Sequence, residues 1–233
     1  MESKEHSTCK RLATQQDINN LYLPNEILEN IISFLPLKEA IKFGILSKRF
    51  EESWLYSRNL NFDRVLVTGQ NRKNLAKIVN KVFDYHLRPE IKSFSLCIKE
   101  KYADKSSVEI WVKKAMQKGV EELDLDFFPH IIEKDQHCFS ADLFDFESLR
   151  VLKLTNCSIN IKLPSKFNFL KTLVLRLVHV KLEMVDALFS SCKLLENLGF
   201  DECTGYLRIS AGYLKTFKEL NIINCDVIHI DVR

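Results

Sequence analysis

One short segment near the start of the chain is rich in apolar residues, namely "LPNEILENIISFLP" at residues 23–36. On a helix they would share an arc about 160° wide, whereas an ordinary core-facing stripe needs only about 100°. The members of this arc are Ile27, Leu28, Ile31, Ile32, Phe34 and Leu35. The pattern therefore predicts a short helix with more apolar surface than a small domain easily covers. Either neighbouring segments of this chain cover all of that surface, or part of it is kept for another protein.

Two further helices are predicted directly after this one, which gives a three-helix module over residues 21–60. Pro24 suits the first helical position, since the N–H that proline lacks has no helical partner there. The segment 37–46 predicts a second helix that is broken near Gly44, and the segment 47–57 predicts a third helix. Three short helices form a core at the limit of independent stability. A partner helix would therefore both cover the module and stabilise it.

The segments on either side of this module have different characters. Residues 1–20 are polar and are expected to form a disordered lead. Residues 61–90 are expected to form a helical linker, because apolar residues recur there at helical spacing. Those apolar residues are Leu75, Ile78, Val79, Val82 and Phe83.

A repeated pattern, apolar-x-x-apolar-x-apolar, begins at residue 91 and continues almost to the end of the chain. It occurs six times, at residues 91–96, 120–125, 149–154, 170–175, 195–200 and 217–222. Three copies continue to a cysteine at the same offset, namely Cys157, Cys203 and Cys225. Steps of 21 to 29 residues between copies fit leucine-rich repeats, which contribute one strand each and return by a helix or loop. An α/β fold of regular βα units is the alternative interpretation.

In such strands the leucines point into the core, and the residues between and after them point to the opposite, concave face. Those positions are Ser95, Cys97, Asp124, Asp126, Lys153, Thr155, Val174, Arg176, Gly199, Asp201, Asn221 and Ile223. They mix both charges and contain neither a basic stripe nor a row of aromatic residues, so the surface suits protein rather than nucleic acid. The polar candidates for contact with a target protein are Asp124, Asp126, Lys153, Thr155, Arg176, Asp201 and Asn221. Ordinary solvated strand positions are the alternative for each residue.

Composition narrows the functional classes. The 233 residues include 34 basic and 31 acidic residues, and a net charge of +3 gives no reason to expect a polyanionic partner. The chain has neither an apolar leader nor an uncharged apolar stretch of about 18 residues, so no membrane association is expected. Seven cysteines without a CxxC pair are expected to be reduced thiols. These features predict a protein of the cytoplasm, the nucleus or both.

Catalytic motifs are missing from the sequence. It contains no GxGxxG, GxxxxGK[ST], HExxH or GxSxG pattern, so neither a catalytic activity nor a cofactor is expected. His130, His137 and Cys138 lie close together and could ligate zinc, but no fourth ligand follows at zinc-site spacing. A polar loop between repeats is the better interpretation, and no metal site is predicted. Asp124 and Asp126 are interpreted as exposed strand positions rather than a catalytic carboxylate pair.

The segment from Leu23 to Trp54 resembles the F-box of the large plant F-box/leucine-rich-repeat family. The shared features are the Leu23–Pro24 opening, the "IISFLP" ending of the first helix and the "ILSKRF" segment. Later segments such as "FESLRVLKLTNCSINIKLP" and "LFSSCKLLENLGFDEC" resemble repeats of the same family, so the resemblance covers about residues 20–233. Phe50 departs from the usual tryptophan but keeps an aromatic side chain. The chain stops at Arg233, where family members typically continue, so a shortened member or a fragment is expected.

The resemblance implies a role in protein ubiquitination. F-boxes of this family dock on a Skp-type adaptor, which links them to a cullin-RING ubiquitin ligase, while the repeats select the target protein. The implied adaptor-binding residues are Leu23, Pro24, Ile27, Leu28, Ile31, Leu35, Pro36, Leu46 and Ser47. For each of them, packing inside the module's own core is an equal alternative.

The sequence thus predicts an α+β protein with a three-helix F-box followed by a short leucine-rich-repeat α/β solenoid. The solenoid would contain a parallel sheet and about six repeats over residues 91–233. Two other functions fit the same pattern. The protein could be a repeat scaffold without a role in degradation, or a truncated F-box protein that binds the adaptor without presenting a target. A catalytic site on the repeat loops would need activity that depends on His137 or Cys138.

Overall fold

A computed structural model gives the structure of most of the chain. It describes residues 24–46, 50–62, 74–99, 104–128, 137–140, 143, 147–160, 167–181, 190–205, 207–210, 216–225 and 227–231. The predicted disordered lead, and with it Leu23, Ser47 and His130, lie outside the described residues.

Four α-helices lie entirely within the described residues, two of them before the first strand and two between the first three strands. The helices are α1 (Asn25–Ser33), α2 (Leu37–Leu46), α3 (Leu75–Tyr85) and α4 (Lys105–Gln117), with a 3-10 helix at Ser53–Tyr56. The longer strands are β1 (Asn59–Phe62), β2 (Ser93–Lys99), β3 (Glu122–Phe128), β5 (Val151–Thr155), β7 (Thr172–Arg176), β9 (Asn197–Asp201) and β12 (Glu219–Ile223). The others are β4 (His137–Ser140), β6 (Cys157–Asn160), β8 (His179–Val180), β10 (Thr204–Gly205), β11 (Leu207–Ser210) and β13 (Val227–Asp231).

The centre of the fold is a seven-stranded parallel sheet. Its strands lie in the order β1-β2-β3-β5-β7-β9-β12, and all of its neighbouring pairs are parallel. Each of the six repeated sequence patterns leads into one of these strands, so the six predicted strands are confirmed. The first strand, β1, was not predicted, because two of its four residues are asparagines, which are uncommon in strands. The shorter strands form three parallel pairs, β4–β6, β8–β10 and β11–β13.

One face of this sheet forms the core, because alternate residues of each strand point to the same side. Leu96, Leu125, Leu154, Leu175 and Phe200 lie side by side on adjacent strands and are at most 2% exposed. Helices α3 and α4 contribute their apolar faces to the same core. The spacing of the apolar residues predicted this for α3, whereas α4 was not predicted as a helix. Asp104 caps α4 by accepting a hydrogen bond from Ser107 N at 2.7 Å, and this bond lowers the pKa of the Asp104 carboxyl.

A recurring turn follows four strands of the sheet. The residue directly after each strand has a left-handed backbone with φ between 51° and 54°, and these residues are Asn156, Leu177, Glu202 and Asn224. The next residue points its side chain back toward the core and is a cysteine in three of the four turns. Cys157 Sγ lies 3.8 Å from Leu125 O, and Cys203 Sγ lies 3.3 Å from Leu175 O. The three cysteines that recur at one offset therefore occupy equivalent turns.

Glu202 is a poor residue for this turn, so its replacement by asparagine is expected to stabilise the protein. A left-handed backbone costs about 1–2 kcal/mol for most L-residues, whereas asparagine tolerates it. The Glu202 carboxylate lies 3.9 Å from Arg176 Nη2 in an exposed pair that contributes little. We expect Glu202→Asn to raise the free energy of unfolding by about 0.5–1 kcal/mol, measured by urea denaturation.

Asn224 provides the reciprocal control, since it is exposed and has φ 52°. Asn224→Glu is expected to lower the free energy of unfolding by a similar amount. A stabilised Asn224→Glu protein, or a destabilised Glu202→Asn protein, would contradict the assignment of backbone strain to these turns.

The F-box segment differs from its predicted helices in two respects. Helix α2 continues through Gly44 to Leu46, so the predicted break is wrong. A Cβ atom at Gly44 would lie 2.9 Å from Phe50 O, which indicates that glycine allows the following chain to pass close to α2. The third predicted α-helix is not confirmed, because the described residues 50–57 contain a turn and the 3-10 helix at Ser53–Tyr56. There Ser53 Oγ donates to Phe50 O, a local bond that competes with helical pairing.

The helical segment and the sheet are joined by packing and by backbone hydrogen bonds. Leu37 of α2 is 1% exposed and belongs to the main core rather than to the small core of the helices. Arg58 N donates to Ser33 O at 3.0 Å, and Lys92 N donates to Arg58 O at 2.7 Å. On the other side, Leu87 N donates to Leu55 O at 3.0 Å. The helical segment is thus attached to the sheet region through Leu55 and Arg58, which lie directly before β1.

His86 lies at this junction and is buried there. Its Nε2 lies 2.8 Å from Ser57 O, so this nitrogen carries the proton and donates to the carbonyl. Burial lowers the pKa of His86 below 6.5, and the charge of Lys118 lowers it further, while the bond to Ser57 opposes the shift. The folded protein therefore holds His86 in its neutral form.

The junction is expected to lose stability in mild acid. Because the unfolded chain binds a proton at His86 more readily than the folded protein does, stability is complete above about pH 6.5 and falls below it. We expect the urea midpoint to decrease from pH 7 to pH 5.5, and less so in His86→Gln, whose amide can still donate to Ser57. Between pH 7 and pH 8 the wild type and His86→Gln should show the same pH dependence, because His86 is uncharged in both the folded and the unfolded chain there. An unchanged slope in His86→Gln would contradict this explanation.

Candidate functional site

Three large apolar side chains on α1 and at its C-terminal end are exposed on one side of the helix. Ile27 is 47% exposed, Ile31 is 50% exposed and Phe34 is 62% exposed. Their spacing of four and three residues puts them within one arc of the helix surface. We call these three residues the apolar helix face. The Arg58 guanidinium lies over the Phe34 ring at 5.0 Å and covers part of it.

The opposite side of α1 packs inside the module. Leu28 and Ile32 are 5% and 1% exposed and form a small core with Ala40 and Phe50. Leu28 is thus an internal residue in this structure, which favours core packing, the alternative interpretation of each predicted adaptor contact. The wide apolar arc of α1 is therefore divided into two parts. Its Leu28 side forms the core, and its Ile27 side remains uncovered.

The other predicted adaptor-binding residues are exposed, half-buried or outside the described residues. Pro24 and Pro36 are exposed at the two ends of α1, and Leu35 is half-buried against the small core. Leu23, Ser47 and the side chain of Leu46 lie outside the described residues. Phe34 and Ile45 are exposed but were not among the predicted contacts. Phe34 lay on the predicted apolar arc, whereas Ile45 follows the partly buried Ile41 by one turn and carried no sequence signal of exposure.

The second surface is the side of the seven-stranded sheet away from the core, which we call the open face. The strand register arranges its side chains in three rows across the sheet. The first row is Asn59, Ser93, Glu122, Val151, Thr172, Asn197 and Glu219. The middle row is Asn61, Ser95, Asp124, Lys153, Val174, Gly199 and Asn221. The third row is Cys97, Asp126, Thr155, Arg176, Asp201 and Ile223.

All seven predicted target-contact residues lie in the middle and third rows of the open face. Asp124, Lys153 and Asn221 belong to the middle row. The third row contributes Asp126, Thr155, Arg176 and Asp201. The first row was not predicted, because its residues precede the second apolar position of each repeat, whereas the predicted contacts lie between and after the last two apolar positions.

Charged and polar groups on the open face interact with one another. Arg176 Nε lies 3.2 Å from Asp201 Oδ2, and Cys97 Sγ lies 3.3 Å from Asp126 Oδ2. Burial raises the pKa of the Asp124 carboxyl, and the charge of Asp126 adds to this, while Lys153 lowers the pKa. Asp124 therefore holds a proton more readily than an exposed aspartate does.

Two depressions lie on the open face. The larger one has a volume of about 370 Å³ and spans β7, β9 and β12 around Gly199. The smaller one has a volume of about 260 Å³ and spans β1, β2, β3 and β5 around Ser95 and Asp124. The open face therefore offers two recesses for side chains of a bound protein rather than one enclosed cavity.

Comparison with known protein families matches both segments of the chain. The F-box domain family matches residues 20–61, and the family "FBD-associated F-box protein At5g56370, LRR repeats" matches residues 108–232. The chain belongs to the plant F-box/leucine-rich-repeat family. The apolar helix face lies within the F-box, and most of the open face lies within the repeats of this family.

Individual relatives come from Arabidopsis thaliana. The putative FBD-associated F-box protein At1g61330 is 33% identical over 87% of this chain and 46% of its own length. The FBD-associated F-box protein At1g61320 is 32% identical over 92% of this chain and 46% of its own length. The F-box/LRR-repeat protein At3g03360 is 28% identical over 84% of this chain. The chain of this F-box/leucine-rich-repeat protein spans about half the length of the curated relatives it matches.

The described residues of this F-box protein offer little for catalysis. Burial raises the pKa of the Cys192 thiol to about 12 and that of the Cys203 thiol to about 11, and it raises the pKa of Cys157 as well. These cysteines are therefore protonated and weakly nucleophilic at neutral pH. Neither matching family describes a catalytic domain.

The described residues contain neither a cluster of metal ligands nor a helix that could span a membrane. In the part of the chain that the structure describes, no three His, Cys, Asp or Glu side chains gather as metal ligands. Of the three potential zinc ligands, His130 and the side chain of His137 lie outside the described residues, and Cys138 is exposed. None of the helices in the described ranges is long and apolar enough to cross a membrane.

Proposed function

We propose that this protein is the non-catalytic substrate-recognition subunit of a Skp–cullin–F-box ubiquitin ligase. The F-box docks on a Skp-type adaptor, which links the protein to a cullin, and the repeats hold a target protein for ubiquitination. The observation that carries this proposal is the apolar helix face, which the protein's own core leaves uncovered within its F-box match. Ligases of this type work inside the cell, where the six free cysteines of the described residues would stay reduced.

The adaptor contact consists of Ile27, Ile31 and Phe34, with the exposed Pro24 and Pro36 at the two ends of α1. Burying an isoleucine that is half exposed removes apolar surface from water, which favours association by about 1 kcal/mol for each side chain. Three such residues on one helix face fit a partner helix or groove. Leu23, Leu46 and Ser47 remain part of the proposed contact on the strength of the family resemblance alone.

The open face is proposed as the target-binding surface. It combines both charges, amides and two recesses, and it lacks a row of aromatic residues in the described strands. Asp124, Asp126, Lys153, Thr155, Arg176, Asp201 and Asn221 are its proposed polar contacts. Such a mixture suits a protein partner better than a nucleic acid, which would favour a basic surface.

Co-expression with a Skp-type adaptor and size-exclusion chromatography test the adaptor contact. A 1:1 complex is the expected result. If the two proteins elute separately while this protein remains folded, the proposed ligase role is wrong and a plain repeat-type binding protein is the better description.

A second function, a repeat scaffold that docks on the adaptor without directing degradation, gives the same complex. The two are separated by the fate of a bound target in cells. Ubiquitin-dependent turnover of that target would exclude the scaffold. A truncated protein that binds the adaptor without a target would instead compete with full-length relatives for the adaptor.

A further inference from the structure

The larger depression of the open face combines an apolar floor with an acidic rim. Its lining residues are Thr172, Val174, Asn197, Leu198, Gly199, Phe200, Asp201, Glu219, Asn221 and Ile223. This set contains two carboxylates and no lysine or arginine, although the chain as a whole has a net charge of +3. The charge of the recess is therefore opposite to that of the protein.

Gly199 creates the recess. In the middle row it lies between Val174 and Asn221 on the adjacent strands. A Cβ atom at Gly199 would meet the two Val174 methyl groups at 3.5 Å, which is an ordinary contact, so alanine would fit there. The fold thus does not require glycine at this position, and the effect of glycine is to leave space above the strand.

The two carboxylates stand at opposite ends of this space. Glu219 lies opposite Asn197 in the strand register, and Asp201 lies opposite Ile223. The second pair is four residues further along the strands than the first. This separation corresponds to about 13 Å. Asp201 is paired with Arg176 at 3.2 Å, whereas in the described ranges no basic side chain forms an ion pair with Glu219.

Two lysines that adjoin lining residues of the recess in sequence are engaged by another carboxylate. Lys218 Nζ lies 2.7 Å from Glu196 Oε2, and Lys171 Nζ lies 3.2 Å from Glu196 Oε1. The smaller depression differs in this respect, because Lys153 lines it together with Glu122 and Asp124. The recess over Gly199 is therefore the part of the open face where a cation from another molecule is best complemented.

We propose that the recess over Gly199 binds a lysine or arginine side chain of the target protein. The aliphatic stem lies on Val174, Gly199 and Ile223, which is 43% exposed, and the charged head lies toward the rim carboxylates of Glu219 or Asp201. A basic, extended segment of the target is the occupant. This inference rests on the proposed function of the open face as the target-binding surface.

A library of random twelve-residue peptides displayed on phage tests this proposal when it is selected on the full chain. We expect the enriched peptides to share lysine or arginine at a recurring position. Their affinity should fall at least tenfold for Gly199→Leu, which fills the recess, and for the isosteric pair Asp201→Asn/Glu219→Gln. Binding should also weaken as salt increases.

Two conservative variants are the matched controls. Gly199→Ala adds a methyl group that fits, and Glu90→Gln removes an exposed carboxylate far from the recess in sequence. Both should bind the enriched peptides as the wild type does. Circular dichroism of every variant separates loss of binding from loss of folding, and the isosteric pair keeps the test informative if Gly199→Leu does not fold.

Failure of this inference is distinguishable from failure of the proposed function. Enriched peptides that are acidic or apolar, yet depend on open-face residues, would overturn the basic-segment inference and leave target binding by this face intact. Basic peptides that bind Gly199→Leu as tightly as the wild type would also overturn it, and so would the absence of any enrichment. The adaptor contact is tested separately, because it depends on α1 and not on the open face.

Discussion

Ile27→Asp/Ile31→Asp is expected to abolish co-purification with a Skp-type adaptor while leaving the protein folded. Both side chains are about half exposed and lie on the side of α1 away from the small core, so aspartate meets water there in the free protein. In the complex the two carboxylates would be buried without partners, which is strongly unfavourable. The lost apolar contacts and the added cost together should weaken binding by a factor of 100 or more.

Ile110→Asp is the matched control for this double variant. Ile110 is also an isoleucine on a helix surface, is 53% exposed, and lies on α4 outside the F-box match. It should not affect adaptor binding. If Ile110→Asp abolished the complex, or if Ile27→Asp/Ile31→Asp left it intact, the adaptor contact would not be the apolar helix face. Leu28→Asp is unsuitable for this purpose, because Leu28 is a core residue and its change would unfold the module.

Trp111→Ala is expected to cause the largest loss of stability among single changes in the described core. Trp111 is 0% exposed on α4, and its indole Nε1 donates to Asn80 Oδ1 of α3 at 2.7 Å. Truncation removes a large apolar group and leaves a cavity, which costs about 3–5 kcal/mol. The hydrogen bond that joins the two helices is lost as well, at a further cost of about 1 kcal/mol. Urea denaturation, monitored by circular dichroism, measures the change in the free energy of unfolding.

Trp111→Phe separates packing from hydrogen bonding. It keeps most of the apolar volume but cannot donate to Asn80, which is exposed and can bond to water instead. We expect a loss of about 1–2 kcal/mol, well below that of alanine. Equal losses for the two variants would mean that the hydrogen bond, rather than the filled volume, gives Trp111 its importance.

The six repeat strands were predicted correctly, because their signal is the apolar periodicity that burial itself imposes, whereas the six shorter strands were not predicted. Leu96, Leu125 and Leu154 are all buried on one face, and each lies at the last apolar position of its repeat. Strand β1 escaped prediction, since its Leu60 and Phe62 alternate with asparagines over only four residues. Gly44 was misinterpreted because the close approach of the chain at Phe50 is a tertiary contact that local sequence does not contain.

The candidate surfaces were predicted less completely, because exposure depends on what packs nearby. Leu28 and Ile31 are equally apolar and three residues apart, yet one is 5% exposed and the other 50% exposed. Only the positions of α2 and of Phe50 decide between them. The recess over Gly199 arises from strand register, which brings Val174 and Asn221 next to a residue without a side chain. No single repeat contains that arrangement.

The junction around β1 has a mechanical consequence. Leu37 of α2 lies in the main core, and β1 begins shortly after the 3-10 helix, so we expect helix and sheet to move together. A protein held on the open face would keep a fixed distance and angle to an adaptor on α1. In the proposed ligase, only those lysines of the target that this fixed geometry brings within range of the ubiquitin-carrying enzyme would then be modified. Rigidity at the junction would thus determine which sites are modified, independently of how tightly the target is held.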